Sequence, residues 1–177
     1  MATTITNATC TTIVSESISL NGKNYGNTNT TAISSCNEAY ERILHIPAAS
    51  AAQCFVNVLT LTPEPDTSGD VSFSEFEYAR FSNLDSEYPI WIKISNEVIC
   101  STGTAKAATQ SYTIKLEAGK TYILPSSQYM ATNGDIDCTA ILELGGKSET
   151  LSIPTNLSVF AIAHTTVCDL EMFVVTK

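Results

Sequence analysis

The sequence predicts an all-β fold, a two-sheet antiparallel sandwich resembling a jelly roll, with an extended N-terminal arm. Three observations carry that expectation. Short runs alternate apolar and polar residues at a period of two, the spacing at which a strand shows one face to a core and the other to water. Asn, Gly and Pro punctuate these runs as turn residues do, and no stretch sustains a helical period. Ser and Thr make up about a quarter of the 177 residues, while charged residues are only 15%, against about 25% in an average globular protein. A hydroxyl-rich surface favours exposed strands over exposed helices.

Residues 1–12 are Thr-rich and weakly patterned, which suits a flexible arm or an added edge strand; residues 13–177 are expected to form one sandwich domain. Residues 13–20 alternate (Ile13, Ile18 and Leu20 among serines), and Asn21-Gly22 follows, a hairpin dipeptide because both residues accept positive φ. Residues 23–29 form a polar stretch. Residues 33–46 could hold a short helix around Asn37-Glu-Ala-Tyr-Glu-Arg-Ile43 or a strand from Arg42. The strand is preferred, since Pro47 pushes Ile46 towards extended geometry. Phe55-Val-Asn-Val-Leu-Thr-Leu61 is β-branched and aromatic, and Pro63 and Pro65 stop it. Phe76-Glu-Tyr-Ala-Arg-Phe81 alternates, breaks at Asn83-Leu-Asp85, and resumes as Ile90-Trp-Ile-Lys-Ile94, where Trp91 is expected to complete the apolar face. Tyr112-Thr-Ile-Lys-Leu116 turns at Ala118-Gly119-Lys120 into Thr121-Tyr-Ile-Leu124. Ala140-Ile-Leu-Glu-Leu144 turns at Gly145-Gly146 into 149–153, and two strands close the chain at 159–163 and 170–175.

Charge and cysteine usage narrow the function classes. The net charge is −9 and the pI about 4.5, with nine Lys and Arg scattered along the chain. Such a field repels phosphate backbones and anionic membranes, so neither nucleic acid nor membrane is an expected partner. The N-terminus shows no basic and apolar signal pattern, so synthesis and retention in a cytoplasm are expected. Six dispersed cysteines (Cys10, Cys36, Cys54, Cys100, Cys138 and Cys168) lack the close pairs of zinc sites and read as buried thiols.

No motif carries chemistry convincingly. Asp66-Thr-Ser-Gly-Asp70-Val-Ser-Phe-Ser-Glu75 imitates a calcium loop, but Val71 stands where the turn needs Gly, and Pro63 and Pro65 forbid the entering helix. Glu75/Glu77 and Asp135/Asp137 would share a strand face about 7 Å apart, a spacing compatible with glycoside hydrolysis; a solvated sheet face is the preferred reading, since such catalytic pairs normally come from different strands. His45 and His164 are the only histidines, and His164 with Cys168 would supply two metal ligands at most. The expectation is therefore no enzyme, no catalytic, metal or cofactor-binding residues, and no cofactor.

Several segments resemble the small virion structural proteins of tailed bacteriophages. They are Tyr78-Ala-Arg-Phe-Ser-Asn-Leu-Asp85 followed by Pro89-Ile-Trp-Ile-Lys-Ile-Ser95, Lys115-Leu-Glu-Ala-Gly-Lys-Thr-Tyr-Ile-Leu-Pro125, and the closing pair Leu157-Ser-Val-Phe-Ala-Ile-Ala163 and Asp169-Leu-Glu-Met-Phe-Val-Val175. The resemblance runs from about residue 43 to the end. It implies a β-sandwich that docks on the major capsid protein or other virion proteins, as a homo-oligomer located in the virion. A capsid decoration (cement) protein is the leading expectation. A tail, neck or fibre-base component comes next, and a carbohydrate-binding module using Trp91 or the paired acids is more distant. Asn83 and Asp85 are expected to close their turn by bonding nearby backbone, and Arg80 to pair with an acid across the sheet or lie under Tyr78.

Overall fold

The computed structural model describes residues 8–49, 55–62, 70–72, 74–101, 106–125, 150–151 and 156–177. Fourteen strands run through them: β1 (Ala8–Ser15), β2 (Ser19–Leu20), β3 (Lys23–Asn24), β4 (Thr28–Cys36), β5 (Glu38–Ile46), β6 (Val56–Thr62), β7 (Asp70–Ser72), β8 (Phe76–Asn83), β9 (Ile90–Ser101), β10 (Lys106–Leu116), β11 (Thr121–Pro125), β12 (Thr150–Leu151), β13 (Asn156–Ala163) and β14 (Cys168–Thr176). No helix occurs among the described residues, and so none there is long and apolar enough to cross a membrane.

Eight strands make two sheets, ordered β11-β8-β14-β5 and β10-β9-β13-β6. β7 extends the second sheet in parallel beside β6, and β12 pairs with the far end of β9. The antiparallel pairs are nested: β9 with β10, β8 with β11, β6 with β13 and β5 with β14. Along these eight strands the chain changes sheet at every step except β9 to β10, and β8·β14 and β9·β13 pairing joins the nested pairs. A long hairpin folded over in this way is the jelly-roll topology.

Period-two alternation explains why the sheets stack. Ile90, Ile92 and Ile94 of β9, Val159, Ala161 and Ala163 of β13, and Leu59 and Leu61 of β6 are buried in one core. Ala79 and Phe81 of β8, Leu170, Met172 and Val174 of β14, Ile46 of β5 and Leu124 of β11 complete it. Phe81 is fully buried, a transfer worth about 1.5–3 kcal/mol for a side chain of this size. Trp91 does not complete this face. The three isoleucines take it, so the intervening Trp91 is placed on the other side of β9, half-buried, beside Lys115 and Ile162.

Two further expectations need correcting. β5 begins at Glu38 rather than Arg42, because the ladder to β14 runs from Glu38 opposite Thr176 to Ile46 opposite Cys168. The segment 115–125, whose likeness to phage virion proteins implies a hairpin turning at residues 118–120, does not close one: Gly119 has φ +66°, and the chain crosses there from β10 in one sheet to β11 in the other. The hydroxyls of Tyr112 and Tyr122 meet across this crossing at 3.1 Å.

The break between β8 and β9 is built by two side chains. Asn83, 2% exposed, donates from Nδ2 to the carbonyls of Tyr88 (2.9 Å) and Leu116 (3.1 Å), while its Oδ1 accepts from the Asp85 amide at 3.0 Å. Asp85 Oδ1 accepts from the amides of Glu87 and Tyr88 at 2.8 and 2.7 Å. Those backbone bonds hold the Asp85 carboxyl below the usual range. The Asp85 carbonyl also takes the Gly119 amide at 3.0 Å, tying the two turns together.

Candidate protein-docking surface

Outside the sandwich, the described residues make an element that the core does not explain. β1 and β4 pair, and β2 and β3 pair beyond them around the Asn21-Gly22 turn, whose φ values are +52° and +77°. The segment between is bonded too: Glu16 N donates to Asn27 O at 2.7 Å and Tyr25 N to Ile18 O at 2.8 Å. A single register therefore runs from Cys10 opposite Ile33 to Leu20 opposite Lys23. Residues 23–29, read from sequence as a polar stretch, are the returning strand of this ribbon. Of the Thr-rich segment 1–12, residues 8–12 lie in β1, the added-strand form of that expectation, and residues 1–7 lie outside the described residues.

Local chemistry explains why these residues extend. β-Branched Thr12 and Ile13 face Thr31 and Thr30 across the pair, and the flanking Thr11 and Val14 face Ala32 and Asn29; hydroxyl and branched side chains support a ladder. Ser15 and Thr28 hydroxyls meet at 3.0 Å. At the neck, the Gly26 amide donates to Asn24 Oδ1 at 2.8 Å, and a Cβ on Gly26 would sit 2.2 Å from the Glu16 carbonyl oxygen. Near the base the ladder is irregular: Ala8 pairs with Cys36 but Cys10 with Ile33, and Ser35 adopts φ +62° to absorb the extra residue.

The base of the ribbon sits on the outer face of the β11-β8-β14-β5 sheet. Cys36, Tyr78 and Val175 are buried together there, with Cys10, Ile33, Ile123 and Phe173 packed around them. Burial, and then the neighbouring Cys36, push the Cys10 thiol up. Beyond this base, every residue from 13 to 32 is exposed. Ile13, Val14, Ile18, Leu20 and Tyr25 are between 49% and 63% exposed, unusual for large apolar side chains grouped on one element. Lys23 Nζ stands 5.2 Å from the centre of the Tyr25 ring.

Next to the ribbon base the same sheet face is polar. Arg80 Nη2 donates to Glu171 Oε2 at 2.7 Å and its guanidinium lies 5.5 Å from the Phe173 ring. Arg80 thus finds its acid across the sheet, with Phe173 rather than Tyr78 as its aromatic neighbour. Glu41 hydrogen-bonds Glu171; that bond, followed by the charge of Glu171, pushes Glu41 up, while the same bond lowers Glu171. His45 is hydrogen-bonded to Asp169 on this face, and Ile43 between these groups is exposed.

The remaining candidates do not converge. Glu77 is paired with Lys177, while Glu75 stands in the turn before β8, where its backbone bonds Ser72 and Lys177. His164 is exposed in the bend after β13, whereas Cys168 is buried, so the two do not stand together as a ligand pair on one extended face. Asp135, Asp137 and the strands read at 140–144 and 149–153 lie outside the described residues, apart from Thr150 and Leu151 in β12; so do residues 66–69 and Phe73 of the calcium-like loop. Among the described residues, no three His, Cys, Asp or Glu side chains gather as a metal site. Cys10, Cys36 and Cys168 are free thiols. No family model, curated protein or solved structure matches the chain.

Proposed function

We propose that the protein is a structural component of a tailed-bacteriophage virion, a capsid decoration (cement) protein that binds the assembled shell through protein–protein contacts. The observation that carries this reading is the ribbon of residues 8–36, which leaves twenty consecutive residues exposed and five large apolar side chains uncovered. Two strands alone are marginal in water, so an element of this kind gains its stability from a neighbour. The segment is also neutral, because Glu16 and Lys23 are its only charged residues and the net charge of −9 falls elsewhere in the chain. Docking it costs little charge desolvation. The resemblance of residues 78–95, 115–125 and 157–175 to phage virion proteins supplies the setting.

The mechanism is mass action. A protein that binds the assembled shell and not loose coat subunits stabilises the shell. The test measures occupancy of the full chain on expanded, decoration-free shells against a chain in which Ser15 is joined to Thr28 through a two-residue Asn-Gly turn. Occupancy in hundreds of copies, lost with the shortened ribbon, supports the reading. Undiminished binding by the shortened chain removes the ribbon from it, and occupancy in multiples of six at one vertex moves the protein to the tail or neck.

A further inference from the structure

The register of the ribbon sorts its side chains onto two faces. Cross-strand partners share a face and neighbours along a strand alternate. One face carries Cys10, Thr12, Val14, Glu16, Ile18 and Leu20, with Ile33, Thr31, Asn29, Asn27, Tyr25 and Lys23 opposite them in that order. The other face carries Ile13 among Ser15, Ser17, Ser19, Asn24, Thr28 and Thr30. The first face is the one whose base already packs on the sandwich through Cys10 and Ile33. Its apolar character continues past that contact, through Val14 to Ile18, Leu20 and Tyr25, with nothing over it among the described residues.

We infer that this face pairs with the same face of a second copy, about a two-fold axis running across the ribbon at the Ile18–Tyr25 pair. An isologous contact must be self-complementary, and this one is. Glu16 lies two residues before Ile18 and Lys23 lies opposite Leu20, two residues after it, so the axis exchanges their levels and brings each Glu16 to the level of the partner's Lys23. Ile18 and Tyr25 meet their own copies at the centre. Within one ribbon the two charged levels are about 13 Å apart at the strand rise, too far to neutralise each other directly. The arrangement also handles the acidic bodies. The ribbons run in opposite directions, so the two sandwiches stand at opposite ends, several Debye lengths of about 8–10 Å apart. The face offers only about 300 Å² per copy from strand spacing and rise, below the range of tight complexes, so the contact is a weak one that close packing of copies would strengthen.

The inference rests on reading the ribbon as a docking element, but it fails separately from the virion assignment. The experiment is sedimentation equilibrium of the full-length protein from micromolar to millimolar concentration, at low and at high salt. The expected result is a concentration-dependent dimer. Glu16→Lys and Lys23→Glu each place like charges across the axis and raise the dissociation constant at least ten-fold. The double variant restores it, and an equimolar mixture of the two single variants forms a 1:1 heterodimer. Both substituted positions, Glu16 and Lys23, are exposed, so the fold tolerates the changes, which circular dichroism checks. A protein that stays monomeric throughout, or a double variant no better than the singles, overturns the inference while leaving shell binding standing. Dimers that form as stated but never bind a shell overturn the virion reading alone.

Discussion

Replacing Asn83 by Ala tests the corner that joins the two sheets. The side chain makes three hydrogen bonds, two donated to the Tyr88 and Leu116 carbonyls and one accepted from the Asp85 amide. Neutral bonds of this kind contribute roughly 0.5–1.5 kcal/mol each, and groups left without partners in a buried site add to the loss. Asn83 is 2% exposed, so water does not readily replace the amide. The loss summed over three bonds is about 3 kcal/mol, and at roughly 2–4 °C per kcal/mol for a domain of this size the melting temperature falls by about 6–12 °C. Urea titration of the two proteins, with an unchanged slope and a lower midpoint, measures it. Asn83→Asp retains the acceptor for Asp85 but turns a negative oxygen towards two carbonyls, so it unfolds at least as readily. A loss under about 1 kcal/mol for Asn83→Ala, well below the sum for three bonds, would mean that the backbone alone holds the corner.

Three other outcomes follow from single contacts. Asp85→Asn removes a carboxyl held below its usual value near 3.8 by the Tyr88 and Glu87 amides. In the native protein that contribution is present above the unfolded value and is lost as pH falls through the folded one, so thermal melts from pH 2 to 6 are flatter on the acid side in the variant. Gly26→Ala drives a methyl to within 2.2 Å of the Glu16 carbonyl; faster hydrogen exchange confined to residues 14–29, with an unchanged melting temperature for the sandwich, is the expected result. Tyr40→Phe removes a buried hydroxyl that has no hydrogen-bond partner among the described residues, so stability is unchanged or rises by up to about 1 kcal/mol.

The sandwich was legible because its strands bury one face. Ile90, Ile92 and Ile94 announce their side of β9 by spacing alone, and the same pattern makes Leu170, Met172 and Val174 readable. Trp91 misled because size suggests burial, whereas period two assigns the face, and three isoleucines at alternate positions outvote one aromatic. The corner at Asn83 and Asp85 was readable from side chains that prefer to bond local backbone. β5 was read too short because Glu38, Tyr40 and Arg42 carry no clear alternation; its pairing with β14, more than 120 positions distant, defines its start. The ribbon was only partly legible. Asn21-Gly22 marks its turn, but an element exposed on both faces lacks the inside–outside contrast that sequence patterns record. Its docking face emerges only when register places Val14, Ile18, Leu20 and Tyr25 together.

The nesting of the strand pairs has a consequence for synthesis. β9 and β10 are neighbours in time as well as space, but β5 waits for β14, made more than 120 residues later, before its ladder can close. Until then β8 also lacks one of its two neighbours, and the half-made sheet shows open edges to other nascent chains. Removing Cys168–Thr176 alone would leave a polypeptide whose first sandwich strand never finds its mate, however intact the hairpin at its centre.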